Sequence, residues 1–110
     1  MVINNIKSQM RKGLLEYCIL SIISKGEAYA SDILETLKQA DLLVVEGTLY
    51  PLLTRMKNEE LLTYRWQEST GGPPRKYYSL TTEGIAILKQ LHKEWYTLQN
   101  AVAKVTDKEQ

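Results

Sequence analysis

Helices, then a β-hairpin, then one more long helix: the patterning of this 110-residue chain predicts a mainly α (α+β) fold. Two observations carry that prediction. Apolar residues recur at three- and four-residue spacing through most of the chain, but from Leu62 to Trp66 the period drops to two. Just beyond, Ser69-Thr70-Gly71-Gly72-Pro73-Pro74 is a run of residues that break both helix and strand, and Lys76–Leu80 reads as the return strand. Three helices followed by a hairpin with a Gly/Pro tip is the order of a winged helix-turn-helix with a two-stranded β-wing. A hydrophobic content of 44% supports one modest core, so residues 1–80 and the tail 81–110 form a single structural unit.

Ile3, Ile6 and Met10 repeat at helical spacing, followed by Leu14, Leu15, Cys18, Ile19, Ile22 and Ile23. Gly13 marks a break or a close contact between the two sets, and Lys25-Gly26 supplies a basic end and a glycine stop. Ala30, Ile33, Leu34, Leu37 and Ala40 give a second amphipathic helix over about Tyr29–Ala40, and Asp41–Val45 is a short connection. The third helix lies within Glu46–Leu62 and buries Leu49, Leu52, Leu53 and Met56. Its other side then carries Pro51, Thr54, Arg55 and Asn58, with Thr48 and Tyr50 beside them. Pro51 has no N–H and is expected in the first turn, which makes Thr48 the N-cap. Short donors, a phenol and a guanidinium near a helix N-terminus suit phosphates and base edges in a DNA major groove.

In the hairpin, Leu62, Tyr64 and Trp66 share one face, and of the adjacent tyrosines Tyr78 is expected in the core and Tyr77 at the surface. Two strands alone are marginal, so the wing must lean on the helices. Thr81 or Thr82 caps the last helix, with Glu83 in its first turn. Leu88, Leu91, Trp95, Leu98, Val102 and Val105 are spaced 3, 4, 3, 4, 3, a heptad seam. From Thr82 to Val105 such a helix runs roughly 36 Å at ~1.5 Å per residue, more than a chain of this size covers. Part of the seam is therefore expected to be buried by a second copy, with Ile3, Ile6 and Met10 of the first helix using the same partner. The tail is read as a C-terminal dimerisation helix.

Charge neither announces nor excludes a polyanionic partner. The net charge is +1, and between Glu46 and Leu80 five Lys/Arg face four Glu, so a nucleic-acid interface must rest on the placement of a few cations. Cys18 is the only cysteine, which offers no disulfide or zinc framework and fits a reduced, cytoplasmic setting. His92 is the only histidine, so no multi-histidine metal site exists, and no cofactor motif is present. No stretch reaches the ~20 apolar residues of a membrane span. Nothing assembles a catalytic triad, dyad or phosphate-binding glycine loop, so an enzyme is not expected.

Tyr29 opening the second helix, GTLYPLLTRM at Gly47–Met56, GGPPRKYYSLT at Gly71–Thr81 and a closing helix together resemble the PadR family of bacterial transcriptional regulators. The short length and single closing helix are similar to its compact, LmrR-like subfamily. The resemblance implies a homodimeric repressor bound to a palindromic operator in double-stranded DNA. It places Tyr29 and Ser31 at the start of the second helix, Thr48, Tyr50, Pro51 and Arg55 on the recognition helix, and Gly71, Gly72, Arg75 and Lys76 on the wing, all at the DNA. It also implies that Trp95, midway along the last helix, stacks on a small planar aromatic effector between subunits. The alternative is a winged-helix module that dimerises and docks a protein without sequence-specific DNA binding. The near-neutral charge keeps that reading open.

Overall fold

The computed structural model describes residues 1–42 and 44–107. Leu43, inside the expected connection, and residues 108–110, at the end of the expected tail, lie outside the described residues. The element order is α1 (Val2–Ser24), α2 (Ala30–Gln39), α3 (Glu46–Asn58), β1 (Leu62–Ser69), β2 (Gly72–Leu80) and α4 (Thr82–Thr106). This is the mainly helical winged helix-turn-helix that the patterning predicts.

Helix α1 is continuous, so Gly13 marks no break, and among the described residues of one chain a Cβ there would meet nothing. Helices α2 and α3 both end by passing the chain through the left-handed region, at Asp41 and Glu60, each with φ 63°. In each case the next amide reaches back to the helix: Leu42 N–H to the Leu37 carbonyl at 2.8 Å and Leu61 N–H to the Met56 carbonyl at 2.9 Å. These are Schellman stops made without glycine. Ala40, expected on the apolar stripe of α2, is instead its exposed C-cap.

The core gathers Ile19, Leu20 and Ile23 of α1, Ile33 and Leu37 of α2, and Leu49, Leu53 and Met56 of α3. Ala28, Ala30, Leu62 of β1, Tyr78 of β2 and Leu88 of α4 complete it. The strands pair antiparallel from Leu62 opposite Leu80 to Ser69 opposite Gly72. The predicted six-residue turn is shorter in the structure. Only Thr70 and Gly71 (φ +77°) turn the chain, while Gly72, Pro73 and Pro74 already belong to β2. The register slips between Gln67 and Ser69, so the prolines oppose Glu68 at a bulge, where an absent N–H breaks no regular ladder. The wing does lean on the helices: Ala28, just before α2, exchanges both backbone hydrogen bonds with Tyr78, at 3.0 and 2.8 Å.

Where β2 passes into α4, Thr81 is the cap. Its hydroxyl oxygen accepts from Gly84 N–H at 2.9 Å and its O–H donates to the Glu60 carbonyl at 2.6 Å. A Cβ on Gly84 would stand 2.1 Å from the Leu61 carbonyl oxygen, so only glycine allows α4 to start so close to the end of α3. Along α4 the predicted seam divides. Leu88 is buried in the core of its own chain, Leu91 packs against that core, and Leu98, Val102 and Val105 are exposed. The molecule extends over 59 × 35 × 22 Å.

Candidate nucleic-acid interface

Helix α3 turns Leu49, Leu53 and Met56 fully inward and leaves Thr48, Tyr50, Pro51, Thr54, Arg55 and Asn58 at the surface. The helix begins earlier than the sequence suggests. Val45 is the N-cap, so Thr48 lies inside the first turn and caps nothing, and Pro51 sits in the helix interior rather than its first turn. The cause is the apolar stripe: Leu49 must already be helical to reach the core with Leu53. Pro51 has no N–H to offer the Gly47 carbonyl, which lies on an exposed face open to solvent.

Between the start of α2, the outer face of α3 and the wing lies a cleft of about 340 Å3. Tyr29, Ser31, Tyr50, Arg75 and Lys76 line it, so five of the residues expected at DNA converge there from three elements. Ala30, Thr54, Trp66, Pro74 and Tyr78 complete its walls. Gly71 and Gly72 are further out, at the exposed wing tip. Pro51 and Arg55 lie around the helix, on a separate open depression with Tyr50, Thr54, Asn58 and Glu59.

The wing is held against α2 by a stack of alternating chemistry. The Tyr29 and Tyr77 rings stack at 4.5 Å with 24° between planes. Arg75 lies over the Tyr29 ring at 4.8 Å, and Arg65 over the Tyr77 ring at 4.8 Å. Arg65 is fixed from its edge by Glu27, with Nε donating at 3.1 Å, and this bonding pushes its pKa further up. A guanidinium stacked by its face keeps its N–H edge available, which suits Arg75 to receive a phosphate oxygen. At the N-terminus of α2 the Asp32 carboxylate accepts from Tyr29 N–H at 2.9 Å, fixing the backbone that carries Tyr29.

Arg55 has a partner within the chain. Its guanidinium donates to Glu16 of α1, through Nε at 3.1 Å and through a second, shorter bond, which raises its pKa. The arginine side chain remains 54% exposed, so the pair rests at the surface, where water competes for it.

A second cleft, of about 220 Å3, lies between α1 and α4. Leu14, Leu15, Cys18 and Leu42 give it an apolar wall, with Arg11 at its rim and Tyr17 and Trp95 beside it. Tyr17 is the hinge of the contact: its hydroxyl and His92 Nδ1 share a 2.6 Å hydrogen bond, and its ring meets His92 edge-on at 5.3 Å and Trp95 at 6.5 Å. Burial pushes the Cys18 thiol pKa up, the opposite of what a reactive thiolate needs. Among the described residues no group of three or more His, Cys, Asp or Glu could hold a metal, and no helix is long and apolar enough to cross a membrane.

Comparison with known proteins decides the family. The family model of the transcriptional regulator PadR-like family matches residues 19–90, from the core of α1 through the wing and into α4. The chain belongs to the PadR-like family. A PadR-like transcription factor from Bacteroides fragilis is 59% identical with a TM-score of 0.79, covering 93% of this chain and 99% of that one. A PadR-like transcriptional regulator from Bacillus cereus is 39% identical, TM-score 0.80, covering 93% of this chain and all of that one. Bacillus subtilis PadR, solved in complex with operator DNA, is 27% identical with a TM-score of 0.66, over 71% of this chain and 46% of that one. Family membership makes this PadR-like protein a transcriptional regulator and not an enzyme.

Several contributors to the cleft and its supports in this PadR-like chain escape a reading of the sequence. Trp66 shares a strand face with Leu62 and Tyr64, so alternation assigns it to the core side, yet it is 61% exposed because the core stops at Tyr64. Arg65, Tyr77, Glu27 and Glu16 act through partners more than ten positions away. Alternation signals only that Arg65 and Tyr77 face away from the core; their pairing needs the fold.

Proposed function

We propose that this protein is a homodimeric repressor that reads double-stranded DNA with α3 and the wing and is released by a small planar aromatic effector. The observation that carries the DNA reading is the cleft in which Tyr29, Ser31, Tyr50, Arg75 and Lys76 converge on the exposed side of α3. Hydroxyls and cations on three elements match a duplex, where most contacts go to phosphate and sugar and a few side chains reach base edges. The relative solved with operator DNA supports the same assignment.

Dimerisation is argued from surface that one copy leaves wet. Ile3, Ile6 and Met10 on α1 are 57%, 51% and 69% exposed, and Leu98 and Val102 on α4 are 51% and 49% exposed. Apolar surface stabilises by ~25 cal/mol per Å2 when covered, and two-fold symmetry covers both stripes with one interface. Leu88 is committed to its own core, so the shared part of the seam starts beyond it. Two copies would set two α3 helices about one DNA turn apart, ~34 Å, on a palindromic operator. A dimer on a promoter blocks polymerase.

The effector reading uses the α1–α4 cleft. An indole, a phenol and an apolar wall suit a flat aromatic molecule, and Arg11 at the rim suits a polar substituent on it. The ligand lowers operator affinity only by binding the arrangement of α1 and α4 that DNA does not select.

A mobility-shift assay with the duplex upstream of the protein's own gene tests this. A saturable shift is expected, with log affinity falling against log salt by ~0.9 for each phosphate neutralised. Absence of a shift at low salt would leave the fold as a protein-docking module.

A further inference from the structure

Trp66 is spent neither on the core nor on the Tyr29–Tyr77 stack. It faces the cleft between the wing and α3, where Tyr50 and Thr54 stand opposite. Its cross-strand partner is Lys76, whose ammonium lies 5.6 Å from the Trp66 ring centroid and 4.6 Å from that of Tyr64. Tyr64 meets Trp66 edge-on at 5.9 Å, which props the indole upright on the strand. The result is one flat apolar surface held beside a cation, with hydroxyls across a gap.

That alternation matches one ligand chemistry. A sugar–phosphate strand repeats an apolar ring and an anion, and a single indole with a neighbouring ammonium receives one of each. A protein partner would call for a broad apolar patch; here the indole, Pro74 and Ala30 are interleaved with Ser31, Tyr50, Arg75 and Lys76 in one narrow cleft. We infer that Trp66 and Lys76 form a backbone-gripping site on the wing. A deoxyribose packs on the free face of the indole, the adjoining phosphate sits on the Lys76 ammonium, and Tyr50 closes the cleft from α3. This grip rests on the DNA reading proposed for the cleft and adds strand β1 to the interface.

The test uses the full chain labelled with 5-fluorotryptophan, which gives separate fluorine resonances for Trp66 and Trp95, with Trp66→Phe assigning the first. The probe is a random-sequence duplex of about 20 base pairs at about 50 mM salt, because a backbone grip needs no operator. Binding is followed independently by anisotropy of the end-labelled duplex. The Trp66 resonance should move on saturation. Trp66→Ala should weaken binding about five- to tenfold with the salt slope unchanged, whereas Lys76→Gln should lower that slope by about one. Circular dichroism melts check each variant's fold, and the wild-type resonance is decisive even where Trp66→Ala is unstable. Duplex binding with a stationary Trp66 resonance, or with undiminished affinity in a folded Trp66→Ala, overturns the grip and leaves the DNA reading standing. No anisotropy change with the wild type overturns both.

Discussion

Burial dominates the titration of two side chains, and it acts on both in the same direction. Cys18 beside the α1–α4 cleft and Tyr78 in the core both have their pKa raised, Cys18 by burial and Tyr78 by burial first and then by Tyr50 and Tyr64. Both are acids whose neutral form the fold prefers. The unfolded chain therefore ionises first, the native chain holds more protons, and stability falls as pH rises through the ordinary thiol and phenol range of about 8.5–10. Thermal melts by circular dichroism should show a steady loss from pH 8 upward, reduced in Tyr78→Phe. A flat profile to pH 10.5, or an unchanged slope in that variant, would contradict this. At this scale the sequence is informative about exposure and poor about partners. Tyr78 as core and Arg55 as surface are both legible from spacing. The Arg55–Glu16 pair is not, because it joins α3 to a residue 39 positions earlier on α1.

Elements are set by where apolar stripes must point and by what ends them. The helices are legible because periodicity reports the core directly, and the Thr81 cap follows from side-chain chemistry. Three boundaries are not. Pro51 suggests a later start for α3 than the Leu49/Leu53 stripe enforces, the prolines of the wing join β2 through a bulge, and Trp66 outruns the core. In each case a local preference yields to packing. Gly84 is the sharpest example of a constraint invisible in sequence, since it depends on the carbonyl of Leu61 lying against α4. Exchanging glycine for alanine inside a helix ordinarily gains up to ~1 kcal/mol. Here the new Cβ would overlap the Leu61 oxygen at 2.1 Å, so Gly84→Ala should instead cost about 2 kcal/mol and lower the melting temperature by several degrees. An unchanged or raised melting temperature would show that the α3–α4 junction is looser than described.

The whole molecule is a compact head with two apolar arms. The wing, α2 and α3 form the proposed reading surface. The first half of α1 and the second half of α4 carry Ile3, Ile6, Met10, Leu98, Val102 and Val105 to the surface, where the described residues of one chain leave them exposed. Seam spacing is legible in sequence, but which part each chain keeps for itself is not: Leu88 belongs to the core, and only the structure separates it from Leu98. Two-headed reading of an operator requires the arms to join two heads at a spacing that a duplex accepts. Sedimentation velocity of the full chain, alone and with the labelled upstream duplex, tests this most directly. A dimer at micromolar concentration and a complex of two chains per duplex are expected. A monomer that stays monomeric on the duplex, or a dimer that leaves the duplex free at low salt, would contradict it.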